Sequence, residues 1–197
     1  MAQTSMFPTI ILASKSPRRS QLLRDAGIPF QVKTVDTDES YPRDLPVEAV
    51  AQHIAQNKAR AAATFIERGD EIILAADSVV VLDGEIFGKP SGVEDAKRIL
   101  RRLSGRVHEV FTGVCLLSKQ KEKLFTDCSR VHFHPITEEE IAFYIEQFRP
   151  FDKAGSYGIQ DWIGLCKVRA IEGSYANIMG LPIDRVYHEL KAWQLHV

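Results

Sequence analysis

Apolar positions along this chain fall into short unbroken runs and longer stretches at helical spacing, separated by polar turns. The first run, Ile10-Ile11-Leu12-Ala13, breaks at Ser14-Lys15-Ser16. Ser16 stands where a helix N-cap belongs, Pro17 takes the first helical position, and Gln21-Leu22-Leu23 carries the pattern toward Gly27. This predicts a strand, a tight turn and a helix. Phe30–Val35 alternates as a half-buried strand, and from Pro46 to Phe65 the residues Val50, Ile54, Ala61, Ala62 and Phe65 recur at helical spacing.

Ile72–Leu82 is a long strand-type run interrupted by one acid, Asp77, and Asp83-Gly84 turns it back onto Glu85–Phe87 as a hairpin. Ser91 and Glu94 read as a capping box for a helix to Leu103, stopped by Gly105. Val107–Leu117 and Lys123–Phe133 are strands. Thr137 and Glu140 form a second capping box, opening a helix to Phe148 that Pro150 closes. A glycine-punctuated loop, Asp152–Asp161, precedes a strand at Val168–Ile171 and a last helix at Asp184–Trp193.

Composition narrows the classes. At 197 residues, with 45% hydrophobic and 26% charged residues, the chain is long enough for one compact globular domain over 1–197. A formal net charge of −1 excludes a field that would gather nucleic acid or an acidic membrane, so any anion site is local. The Ile10–Ala13 run is too short for a secretory signal, and nowhere do about 18 apolar residues run together, so a cytoplasmic location is expected. Cys115, Cys128 and Cys166 are odd in number and widely spaced, which argues against disulfides or a thiolate metal site.

Charge is unusual at the start of the first helix. Lys15, Arg18 and Arg19 crowd an end whose partial positive charge disfavours cations by roughly 0.3–1 kcal/mol each. A bound phosphate would reverse the sign, since backbone N–H groups and guanidinium forks would all point at its oxygens. The alternative is that these are solvated surface residues. Asp36-Thr37-Asp38-Glu39 places three carboxylates in four residues, either a hydrated acidic loop or ligands for a hard cation; the spacing is not that of an EF-hand. Asp77, inside an apolar run, needs a compensating partner. Lys89, between Gly88 and Pro90, sits on a fixed backbone from which it can reach a phosphate. No Walker A, Gly-x-Gly-x-x-Gly, His-Glu-x-x-His or Gly-x-Ser-x-Gly pattern occurs. Together, Arg18, Arg19, Lys58 and Lys89 can neutralise a polyphosphate, and Glu39 with Asp77 can hold a divalent cation bridging its oxygens.

The same residues carry a family resemblance. Ser14-Lys15-Ser16-Pro17-Arg18-Arg19, Asp38-Glu39, Asn57-Lys58-Ala59, Ala76-Asp77-Ser78-Val79-Val80, Gly88-Lys89-Pro90, Phe111-Thr112-Gly113-Val114, the loop Asp152–Gln160 and Gly173–Pro182 resemble, in order and over nearly the whole chain, the Maf family of nucleoside triphosphate pyrophosphatases linked to septum inhibition. The resemblance implies an α/β fold like that of inosine triphosphate pyrophosphatase, an elongated mixed sheet with flanking helices and a cleft between two lobes, often in a homodimer. It implies hydrolysis of a nucleoside triphosphate to the monophosphate and pyrophosphate with Mg²⁺ or Mn²⁺.

By the same resemblance Asp77 is the proton acceptor, and Arg18, Ser78 and Gln160 set the base preference. Ser14, Ser16, Arg19, Lys58 and Lys89 bind phosphate, and Glu39 and Asp77 hold the metal. Arg18 and Gln160 look like the branch acting on dTTP and UTP, whereas a Glu in place of Gln160 would suit the donor edge of guanine. Ser78 departs from that branch, which usually has Thr there, so discrimination among pyrimidines is the property it affects. The reading from another class is a non-catalytic nucleotide-binding regulator associated with septum inhibition.

Overall fold

The structure, a computed structural model, describes residues 7–194, with the side chain of Gln194 outside the description. Its elements run β1 (Thr9–Leu12), α1 (Pro17–Asp25), β2 (Phe30–Val32), α2 (Val47–Ala61), β3 (Glu71–Leu82), β4 (Glu85–Phe87), α3 (Val93–Leu103), β5 (Val107–Leu117), β6 (Glu122–Phe133), α4 (Glu138–Phe148), α5 (Trp162–Cys166), β7 (Val168–Glu172), α6 (Tyr175–Met179) and α7 (Ile183–Gln194). The fold is mixed α/β: a sheet in the order β2-β1-β3-β5-β6-β7, with β4 paired to β3, and helices flanking it. Among the described residues no helix is long and apolar enough to cross a membrane.

The chain divides into two compact units. The first holds the residues up to Asp77, Thr112–Thr126 and those from Gly180 on; the second holds Ser78–Phe111 and Asp127–Met179. In the first unit β1 pairs in parallel with β2 on one side and β3 on the other, in the register Ile11 to Gln31 and Ile11 to Ile73. A strand covered on both faces has no polar side to show. Accordingly Ile10, Ile11 and Leu12 of β1 and Ile72 to Ala76 of β3 are all buried. Ile11, Ile73, Ala75 and Cys115 pack with Ala55, Ala59 and Ala62. The small side chains let α2 lie close on the sheet, and Gly113 makes the approach closer still: a Cβ there would overlap the backbone of Gln52.

In the second unit β3 turns through Asp83 (φ 54°) and Gly84 (φ 77°) into β4, matching Val80 with Phe87 and Leu82 with Glu85. Both central residues are left-handed, as the twist of a two-residue hairpin requires. β6 pairs antiparallel with β7, with a register shift between His132 and Phe133. Arg101 of α3 grips Glu138 of α4 with two hydrogen bonds of 2.7 Å. Thr137 and Glu140 make the expected capping box at α4.

Four expectations change. The helical spacing that reaches Phe65 is α-helical only to Ala61, and Ala62–Phe65 form a 3₁₀ turn. The capping box at Ser91 does not form: Gly92 is the N-cap of α3, and the N–H of Ser91 donates to Asp95 at 3.0 Å while Glu94 turns to Lys97. The strand from Phe30 stops at Val32, because this edge strand has one neighbour and only the Lys33 N–H continues the ladder, to the Leu12 carbonyl. Helices α5 and α6 stand where no helix is expected; at five residues each they are too short to display a period.

Candidate active site

Asp77 lies at the end of the buried run of β3, where β3 leaves the first unit. Lys58 comes from the last turn of α2, and Glu39 from the extended segment between β2 and α2. The Lys58 Nζ is 2.6 Å from Asp77 Oδ1 and 2.7 Å from Glu39 Oε1. The side chains of Lys58 and Asp77 keep only 16% and 15% of their exposure, so the ion pair is largely withdrawn from water. Asp77 thus has the partner its apolar setting demands.

The acidic loop sorts into three separate fates. Asp36 pairs with Lys15 at 2.7 Å out in solvent, and that hydrogen bond holds its carboxyl below the usual range. Asp38 accepts from the N–H of Ser40 at 2.9 Å and from its hydroxyl at 2.7 Å. Only Glu39 turns to Lys58. The crowding of carboxylates is therefore relieved by distinct partners, and so is one of the three cations at α1, since Lys15 is taken up by Asp36.

Arg19 is anchored by the fold. Its Nε donates to the Gly180 carbonyl at 2.7 Å and its Nη1 to Ser14 Oγ at 3.2 Å, while the N–H of Ser16 donates to the same oxygen at 3.2 Å. Ser16 is the N-cap and Pro17 opens the helix, as the residues predict, without a side-chain cap bond. Burial lowers the Arg19 pKa from its ordinary value; the negative charges of Asp77 and Glu39 work in the opposite direction, and the positive charge of Arg18 adds to the lowering. Ser14, Arg18, Arg19, Glu39, Lys58 and Asp77 therefore make one electrostatic group within the first unit. Among the described residues no cluster of three or more His, Cys, Asp or Glu side chains gathers.

The remaining candidates belong to the second unit. Ser78, half-buried, follows Asp77 on β3. Lys89 is exposed beside buried Pro90, and the carbonyl of Gly88 accepts from the N–H of Gly155 at 3.1 Å. Gly155 has φ 69°, and a Cβ there would meet Val80 Cγ2 at 2.8 Å, so the loop needs glycine twice over. Gln160 is exposed on a turn closed by the Asp161 N–H to the Gly158 carbonyl at 3.0 Å. Asn177 is buried, donating to the Val110 carbonyl at 3.0 Å and to Ser129 Oγ at 2.9 Å; this motif residue is a bolt between α6 and the strands. Cys115 is buried in the core, and burial first and Glu122 second push its thiol up to about 12, away from the thiolate a nucleophile needs.

Two contacts beside the candidate residues were not foreseen: the Gly180 carbonyl, within the Gly173–Pro182 motif, accepts from Arg19 from 161 residues away, and Tyr144, which no motif includes, meets the turn bearing Gln160.

Comparison with known proteins bears on the chain as a whole. The family described as Maf-like protein matches residues 9–193. A dTTP/UTP pyrophosphatase of Bacteroides thetaiotaomicron is 49% identical over 183 residues, covering 92% of this chain and 94% of that protein. One of Phocaeicola vulgatus is 48% identical with the same coverage. Among solved structures, the Ham1 protein of Staphylococcus aureus aligns with a TM-score of 0.45 at 16% identity, covering 64% of this chain and 71% of that one. With the match running from β1 into α7 and nearly half of the residues shared with these relatives, the chain belongs to the family of Maf-like proteins.

Proposed function

We infer that this protein is a nucleoside triphosphate pyrophosphatase that hydrolyses dTTP and UTP to the monophosphate and pyrophosphate. The observation that carries the reading is the Lys58 ammonium held between Asp77 and Glu39, with Arg19 close enough for its charge to be felt by both acids. Acids and cations in one part-buried group suit a ligand that is itself an anion carrying a metal. The relatives named dTTP/UTP pyrophosphatase support the same reading.

Asp77 accepts a proton from the water that attacks the α-phosphorus. The new P–O bond forms as the bond to the β-phosphate oxygen breaks, and pyrophosphate leaves with that bond's electron pair. Arg19, positioned by Ser14 and Gly180, donates to phosphate oxygens with its charge already supported by Asp77 and Glu39. Ser16, at the start of α1, and Lys58 and Lys89, as point charges, contribute to holding the phosphates.

Glu39 and Asp77 are the residues that would hold Mg²⁺ or Mn²⁺. Two carboxylates fit the way Mg²⁺ binds, through one or two protein acids with phosphate oxygens and water completing its shell. The ion supplies charge neutralisation at the phosphate oxygens when bound.

Gln160 reads the base: its carboxamide donates to O4 and accepts from N3–H of uracil or thymine, with Arg18 and Ser78 contributing to the preference. One domain over the whole chain belongs to the same proposal, supported by the family match over residues 9–193. A homodimer and a cytoplasmic location rest on the family resemblance and on the substrate class. Release of monophosphate and pyrophosphate from a panel of triphosphates with Mg²⁺ tests the function. Turnover led by dTTP and UTP is expected, and binding without turnover would make the protein a regulator instead.

A further inference from the structure

Tyr144 lies in the middle of α4 with no exposure, stacked on Phe148 with ring centroids 5.2 Å apart. A buried phenol must place its hydroxyl on a partner. This one has two. It donates to Asp161 Oδ2 at 2.7 Å and accepts from the Gly158 N–H at 3.0 Å. Gly158 and Asp161 are the first and last residues of the turn whose middle residues are Ile159 and Gln160, and the Asp161 N–H to Gly158 carbonyl bond closes that turn. A single hydroxyl thus fastens both ends of a four-residue segment that buries Ile159 and leaves Gln160 outside.

The rest of the surroundings stiffens the same segment. A Cβ on Gly158 would stand 2.5 Å from Asp161 Oδ2, and one on Gly164 would overlap the Ile159 carbonyl, so both glycines are required for the turn to close as it does. Burial and the bond to Asp161 raise the Tyr144 pKa well above its ordinary value, so the hydroxyl remains a donor at all working pH.

We propose that Tyr144 is the positioning residue for base selection, fixing the backbone from which the Gln160 carboxamide meets the pyrimidine. The inference rests on the assignment of Gln160 as the base-reading residue. A carboxamide pairs with an imide edge only when its donor and acceptor lie together in the plane of the base. Because Gln has three rotatable bonds, any movement of its backbone is amplified at the amide. Selectivity built on such a pair fails with displacements far smaller than those that unfold a loop.

The test is a double-mutant cycle on kcat/KM. Wild type, Tyr144→Phe, Gln160→Ala and the double variant are assayed with UTP and CTP in the presence of Mg²⁺. Phe keeps the ring and removes only the hydroxyl. The expected result is a loss of about tenfold in the UTP over CTP preference for Tyr144→Phe, with no further loss when Gln160 is already Ala. Asp161→Ala removes one partner of the hydroxyl while leaving the ring in place; it should give the same selective loss, and it carries the test if Tyr144→Phe does not fold. Equal losses on both triphosphates, or effects that add to those of Gln160→Ala, would show a merely structural tyrosine and overturn the proposal. Failure of the broader reading is seen elsewhere, in a wild type without turnover or a Gln160→Ala variant with unchanged preference, and either would remove this inference with it.

Discussion

Lys58 and Asp77 meet at 2.6 Å with most of their surface withdrawn from water, and the same ammonium reaches Glu39 at 2.7 Å. One cation therefore compensates two acids contributed by separate segments. Removing Lys58 takes away the ammonium that both acids touch and leaves Arg19 as a cation whose charge reaches them. Lys58→Met is expected to lower stability by about 1–3 kcal/mol, below the cost of breaking a fully buried pair because each partner keeps some water. Mg²⁺ should recover part of that loss in the variant and less in the wild type, as read by thermal unfolding with and without the ion.

Asp77→Asn keeps the shape and an acceptor for Lys58 but removes the group that takes the proton. Turnover of dTTP should fall by roughly 10²–10⁴-fold, the range for loss of a positioned general base, while circular dichroism remains that of the wild type. A fully active variant would remove Asp77 from the mechanism.

Gln160→Glu exchanges an amide that both donates and accepts for a carboxylate that only accepts. The kcat/KM for UTP and dTTP is expected to fall by about 10–100-fold, with a smaller effect on triphosphates whose bases present donors. Competition assays with mixed triphosphates measure the change directly.

Gly113→Ala probes the seat of α2. The added methyl overlaps the Gln52 backbone, so the helix bearing Lys58 must shift. Overpacking of this kind costs about 1–3 kcal/mol. The expected outcome is a lower denaturation midpoint together with reduced turnover, because the displaced helix takes Lys58 away from Asp77.

His108 makes stability depend on acid. It is buried against Phe133 and shares a 2.7 Å hydrogen bond with the Tyr157 hydroxyl; burial first, and His132 second, lower its pKa from 6.5 to about 3. Between these values the unfolded chain binds a proton that the folded one refuses. The stability present above pH 6.5 is therefore lost as pH falls toward 3, by at most about 1.4 kcal/mol per pH unit from this group. His108→Gln should flatten the decline. Carboxylates shared by both proteins cancel in the comparison, which is made by urea unfolding from pH 7 down to pH 4.

What the residues alone determined is what acts over short distances. Apolar runs, helical spacing, Pro17 after Ser16, the Asp83-Gly84 turn and the Thr137 capping box each engage neighbours within a few positions, and they appear in the fold where the pattern puts them, save that α2 gives way to a 3₁₀ turn after Ala61. The family was legible for a related reason, since several short motifs in a fixed order are specific together. Tertiary structure alone decided which acid of Asp36, Asp38 and Glu39 turns to Lys58, and that Gly180 holds Arg19. It also decided that Ser91 engages Asp95 and that Tyr144 fastens the turn under Gln160. At Ser91 two acids of equal local merit compete, and packing selects between them. The other choices join chain segments far apart in sequence, and no local periodicity records which distant partner will be within hydrogen-bond reach once the sheet and α2 have closed the core.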